Sequence, residues 1–165
     1  MKVVQYRGAD KPEILFVGEA PGKTENILGV PFIGPSGQLV ELLIEEAAAD
    51  LAGRLRYGFI NVLGCVPYAD RDNKASGGVR PPSPQEVAAC SPRLEALFAA
   101  FQPRGVVFLG KTAAAQRKHL GSFLPEKVLE LQHPAYVLRN GGRMSVPGAT
   151  FVCNLSTWLK DLRNG

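Results

Sequence analysis

Five short runs constrain the fold most: residues 14–17 (ILFV), 59–63 (FINVL), 106–109 (VVFL), 128–131 (VLEL) and 151–153 (FVC). They are apolar or β-branched and show little alternation between polar and apolar positions. A strand with one wet face must alternate. Runs that do not alternate fit strands covered on both faces of a largely parallel sheet. Helical patterns lie between them. Ser36 is a suitable N-cap for a helix that places Leu39, Leu42, Leu43 and Ala47 on one face. Residues 84–101 put Val87, Leu94, Leu97 and Phe101 at helical spacing, and 111–119 and 156–162 complete the set. Strands alternating with helices predict a layered α/β domain. Neither a repeat nor a linker divides the chain, so residues 1–165 are expected to form a single domain. Residues 70–84, DRDNKASGGVRPPSP, form a long insertion expected to be a mobile surface loop.

Composition narrows the class. With 165 residues, 45% hydrophobic and 21% charged, the chain can bury a core of ordinary soluble character. No apolar run approaches the ~20 residues that span a bilayer, and no signal peptide is evident, so no membrane partner and a cytoplasmic setting are expected. Three cysteines, Cys65, Cys90 and Cys153, are too few and too odd in number for a disulfide framework. Charge is uneven. Residues 1–82 carry 9 Lys+Arg against 10 Asp+Glu, whereas residues 83–165 carry 10 against 5. A basic half suggests a polyanionic partner, and a solvated basic surface is the alternative.

In parallel sheets, sites form beyond the carboxyl ends of the strands. Three loops there carry polar chemistry: residues 18–22, the neighbourhood of Asn61, and Gln132, His133 and Pro134. A nucleotide-binding reading offers itself first, because residues 105–112, GVVFLGKT, match G-x4-G-K-[ST] literally. A phosphate loop needs backbone amides that curl around an anion. Here the residues between the glycines are Val-Val-Phe-Leu, which read as the strand itself. The other GKT, at residues 22–24, follows a strand, but its first glycine, Gly18, is one residue too close. No apolar run ends in an aspartate suited to magnesium. Gly110 reads instead as a strand-to-helix turn where glycine permits close packing.

Three stretches together carry a different message. They are GEAPGKTENILGVPFIGPSGQL (residues 18–39), FINVLGCVP (59–67) and HPAYVLR (133–139). In this order, at strand ends of an α/β pattern, the chain resembles the uracil-DNA glycosylase superfamily, and most of all its family 4. The resemblance covers residues 14–139. It implies a monomeric three-layer α/β/α sandwich around a mostly parallel central sheet. It also implies an enzyme, a hydrolase of base excision repair, that flips uracil out of DNA and hydrolyses its N-glycosidic bond to leave an abasic site. Uracil-containing DNA is then the expected partner. The competing readings are a non-catalytic nucleic-acid-binding module on the same fold and, less favoured, a P-loop nucleotide hydrolase.

Residue by residue, the resemblance makes chemical sense. Such an enzyme meets a sugar that becomes cationic and a base that leaves as an anion. Glu19 matches the family's acid, able to position or activate water. Glu25 is a secondary candidate acid, or else a solvated loop charge. Ala20 and Pro21 belong to the same uracil-binding loop. Phe32 matches the aromatic that stacks on uracil, and could equally be a core phenylalanine. Asn61 offers a donor and an acceptor to uracil O4 and N3–H, or is a structural hydrogen-bonding residue. His133 matches the histidine that stabilises the anion at O2. Ser36 and Arg139 are expected at phosphates, and Leu138 as a wedge in the base stack.

The family's iron–sulfur cluster uses four cysteines, two of them in a C-x-x-C. This chain has no such pair, and Cys65 and Cys90 match only the other two ligands. Cys153 reads as a core thiol in a strand. The expectation is no cofactor and no metal, with an iron–sulfur cluster as the disfavoured alternative. Asn26 stands where a second acid is common, and Tyr136 lies inside the last motif.

Overall fold

The apolar runs do pair side by side. In the computed structural model, which describes residues 2–51, 54–69 and 78–165, the strands are β1 (Arg7–Gly8), β2 (Ile14–Gly18), β3 (Tyr57–Asn61), β4 (Gly105–Leu109) and β5 (Lys127–Leu131). Their order across the sheet is β1-β3-β2-β4-β5, all parallel except the antiparallel pair β1–β3. Every residue of β2 and β4 is buried. Their missing alternation reflects cover on both faces. β5 is only partly buried because it lies at the edge.

Helices supply that cover: α1 (Lys23–Leu28), α2 (Pro35–Ala47), α3 (Pro84–Phe101), α4 (Lys111–Ala115), α5 (Arg117–Leu120), α6 (Pro134–Arg139) and α7 (Val146–Asn164). On one face, α2 and α7 pack Leu43, Phe151, Leu155 and Leu159 against Ile14, Phe16, Phe59 and Val107. On the other, Leu94 and Phe98 of α3 and Ala113 of α4 cover Leu15, Val17, Ile60 and Phe108. The result is the expected three-layer sandwich. Among the described residues no helix is long and apolar enough to cross a membrane.

Three expectations are corrected. Residues 151–153 are not a strand but the middle of α7, whose buried Phe151, Leu155, Leu159 and Leu162 recur every three or four positions. The Ser145 side chain caps this helix by accepting from the Gly148 N–H at 3.2 Å. Cys153 is accordingly exposed on α7 rather than a core thiol. Ser36 is not the N-cap of α2. That place belongs to Gly34, with Pro35 in the first turn, where its missing N–H costs nothing. Residues 84–101 form α3 as expected, started by a reciprocal capping box between Ser83 and Glu86. Of the insertion at 70–84, residues 70–77 lie outside the described residues. Its remainder forms a bridge between Val79 and Tyr68 and a 2.8 Å ion pair between Arg80 and Glu86.

The chain leaves β2 towards β3 and leaves β4 towards β5, which lie on opposite sides. The connections therefore separate between β2 and β4. Such a switch point opens a crevice beyond the strand ends.

Candidate active site

At that crevice, four strand-end segments converge. Gly18 ends β2 and pairs in register with Asn61, the last residue of β3. A cavity of about 290 Å³ opens above them, lined by Ala20, Pro21, Glu25, Phe32, Ser36, Asn61 and His133 among others. Glu19 is not in that lining.

Asn61 is 3% exposed. Among the described residues its carboxamide has no hydrogen-bond partner, and it faces the cavity. Buried polar groups are otherwise nearly always paired. A side chain at Gly18 would intrude here, because a Cβ would lie 2.5 Å from both Asn61 Oδ1 and Phe32 Cζ.

Phe32 is a core residue and a wall of the cavity at once. It is buried in the core and stacks on Phe59 at 4.8 Å, while also walling the cavity. Its φ of 59° lies in the left-handed region, unusual for a bulky residue. Arg7 holds it there. The Arg7 guanidinium donates to the carbonyls of Pro31 at 2.9 Å and Phe32 at 2.8 Å, and pairs with Glu41 at 2.7 Å. Gly37 lets α2 start against the Phe32 carbonyl, which a Cβ would meet at 2.0 Å.

His133 is the N-cap of α6. Its Nδ1 accepts the Ala135 N–H at 3.1 Å. An acceptor nitrogen carries no proton, so the neutral ring holds its hydrogen on Nε2, free to donate. Burial lowers the pKa of His133 below the ordinary 6.5, the Glu19 charge raises it, and Arg139 lowers it. Gly110, at φ 92°, leaves room for the imidazole, since a Cβ there would lie 3.0 Å from that of His133.

The two acids differ in their surroundings. Glu25 is clamped within its own loop, where Oε1 accepts the Gly34 N–H at 3.0 Å. A Cβ at Gly22 would lie 2.6 Å from its Oε2. Its carboxylate therefore holds the two glycine turns together. Glu19 stands between the cavity and the turn after β4, where Oε2 accepts the Thr112 hydroxyl at 2.5 Å. The GKT of residues 110–112 is thus a strand-to-helix turn directed at a carboxylate, and β4 occupies the place of a phosphate loop.

Around the mouth, Lys23 and Ser36 line the cavity. Lys111 lies in an adjoining groove shared with His133 and Tyr136. Leu138 and Arg139 are exposed at the end of α6. Lys23, Lys111 and Arg139 have no ion-pair partner among the described residues, whereas Arg143 and Lys160 are engaged with Glu46 and Asp50.

Three contributors are not among the site candidates read from the sequence: Arg7, Arg93 and Thr112, the last lying in the GVVFLGKT stretch. Arg93 reaches from α3 to the end of β3, donating to the carbonyl of Asn61 and, at 3.1 Å, to that of Val62. Burial lowers its pKa while Cys90 and Cys65 raise it, which places the guanidinium beside both thiols. The only signal available was a cation three residues beyond Cys90, on the same helical face.

The number and placement of the cysteines do not suit an iron–sulfur cluster. Four thiolates are required. This chain has three cysteines, and Cys153 lies on α7, across the sheet from α3. Among the described residues no three His, Cys, Asp or Glu side chains gather as metal ligands would. The residues present do not fit the group.

Comparison with known proteins agrees with the geometry. A family model described as the uracil DNA glycosylase superfamily matches residues 5–160. A type-4 uracil-DNA glycosylase of Archaeoglobus fulgidus is 39% identical over 108 residues, 65% of this chain and 48% of the relative. One from Thermotoga maritima is 32% identical over 151 residues, 84% of this chain and 72% of the relative. The chain thus spans about half the length of the Archaeoglobus relative. Among solved structures, the solution NMR structure of a Methanosarcina acetivorans protein, provisionally named a uracil DNA glycosylase, superposes with a TM-score of 0.56. It covers 96% of this chain and 98% of its own at 14% identity, a likeness of fold.

Proposed function

The chain belongs to the uracil DNA glycosylase superfamily, and from that premise we propose that it is a monofunctional glycosylase that removes uracil from DNA. The observation that carries this reading is the buried Asn61, whose carboxamide has no partner among the described residues and faces a cavity walled by Phe32 and His133. Uracil presents an acceptor, O4, beside a donor, N3–H. One fixed carboxamide answers both. Phe32 offers a ring face for stacking.

The chemistry then divides between two side chains. As the bond from C1′ to the base nitrogen breaks, its electron pair leaves with uracil. The His133 Nε2–H donates to O2, where the negative charge gathers. The Glu19 carboxylate faces the cationic sugar and accepts a proton from the water whose oxygen bonds to C1′. The departed uracil anion is protonated by solvent. In this reading Lys23, Ser36, Lys111 and Arg139 meet phosphates, and Leu138 fills the gap left by the flipped base. Glu25 serves as a loop clamp rather than a second acid. One chain supplies every group named, so the enzyme is proposed to act as a monomer without a cofactor.

The test is excision from a labelled uracil-containing oligonucleotide, read after alkaline cleavage of abasic sites. Glu19→Gln and His133→Ala should each slow the chemical step by roughly 10²–10³ while substrate binding survives. Folded variants that both excise at the parental rate would refute the assignment.

A further inference from the structure

We propose that Thr112 is the positioning residue for Glu19, and that the GKT turn after β4 exists to build the catalytic pair. The inference rests on the glycosylase reading and deepens it. Thr112 Oγ1 donates to Glu19 Oε2 at 2.5 Å, a length typical of a hydroxyl bonded to a carboxylate. The two residues are 93 positions apart, joined only because β2 and β4 are neighbours, with Val17 beside Phe108. Both sit in the first turns beyond their strands, at the switch point where the crevice opens.

Thr112 is itself fixed. It lies in the first turn of α4, next to the fully buried Ala113, and its carbonyl accepts from the buried Gln116 side chain at 3.3 Å. Gly110 of the same turn gives His133 its room. Residues 110 and 112 therefore set both reacting side chains, one by vacancy and one by a hydrogen bond. With Oε2 engaged, Glu19 presents Oε1 to water in one orientation. Without the hydroxyl, the carboxylate rotates about its last two torsions, and fewer encounters have the geometry for proton transfer. Misplacement of a reacting group by about 1 Å costs on the order of 10² in rate. The threonine that a phosphate loop would turn towards magnesium is here committed to a glutamate.

The experiment compares Thr112→Val, which keeps the shape and removes the hydroxyl, with Thr112→Ser, which keeps the hydroxyl. Single-turnover excision and oligonucleotide affinity are measured for both, alone and in the Glu19→Gln background, with melting temperatures alongside. Thr112→Val should lower the excision rate roughly 10- to 100-fold with affinity unchanged. Thr112→Ser should remain within about threefold of the parent, and Thr112→Val should add less than about twofold once Glu19 is already Gln. Parental activity in Thr112→Val, or an equal loss in both backgrounds, overturns the role of Thr112 while leaving the glycosylase reading intact. A Thr112→Ser variant as slow as the valine overturns it too. A parent protein that leaves uracil in place overturns the functional reading itself, and this inference with it.

Discussion

Replacing Asn61 by Asp tests base reading at the atom level. Asn61 is 3% exposed and its carboxamide has no partner among the described residues, so a bound base is free to pair with it. On binding uracil it donates once to O4 and accepts once from N3–H. Aspartate keeps the acceptor and replaces the donor by a second acceptor, which then opposes O4. A buried acceptor facing an acceptor loses a hydrogen bond and leaves two groups unsatisfied, each at about 1–3 kcal/mol. The sum, about 2–6 kcal/mol, corresponds to a loss of roughly 30-fold to 10⁴-fold in uracil excision. Cytosine carries an amino donor in place of O4, so the new acceptor suits it, and the uracil-to-cytosine ratio should fall by at least the same factor. The assay is single-turnover excision on matched uracil and cytosine oligonucleotides, with thermal melting as control. A stable variant with an unchanged ratio would remove Asn61 from the site and with it the central argument for function.

Other outcomes follow from the same geometry. His133 is held below the ordinary 6.5 chiefly by burial, so as pH falls the unfolded chain takes up its proton first. The stability tied to neutral His133 is full above pH 6.5 and declines below it, down to the lowered folded value. His133→Gln should therefore show a flatter loss of Tm across that window, and an identical slope would place the imidazole in solvent. DNA affinity should fall with salt at a log–log slope of about −2 to −4 if three or four cations, Lys23, Lys111 and Arg139 among them, meet phosphates. A flat response would point to a small-molecule ligand. The purified chain should be colourless, and broad absorbance near ~400 nm with about four irons per chain would overturn the misfit argued from the number and placement of the cysteines.

The sheet was legible in sequence where burial on both faces leaves uninterrupted apolar runs, as in β2 and β4. It was misread where three apolar residues in a row, 151–153, satisfy strand and helix alike. The deciding signals there were Ser145 ahead of Pro147 and the later Leu155, Leu159 and Leu162, a period that with Phe151 extends over about three turns. β1 has two residues and an edge position, too little to leave a pattern. In the site, Glu19, Phe32, Asn61 and His133 stood out through resemblance to a family, not through periodicity. Arg7, Arg93 and Thr112 act on partners 25, 32 and 93 positions away. No local rule reaches so far, and only the strand order brings those pairs together.

Phe32 faces the cavity with one side and stacks on Phe59 with the other, and Phe59 in turn packs on Phe16 of the central strand. The floor on which a base would rest is therefore continuous with the hydrophobic interior. Such a surface does not adapt to its guest, because moving it means repacking the sheet. Enlarging the cavity for a purine by trimming Phe32 or Phe59 would loosen the whole fold. New base preferences are more readily reached through the polar groups at the rim, which leaves the aromatic stack as the part of the site that sequence drift can alter least.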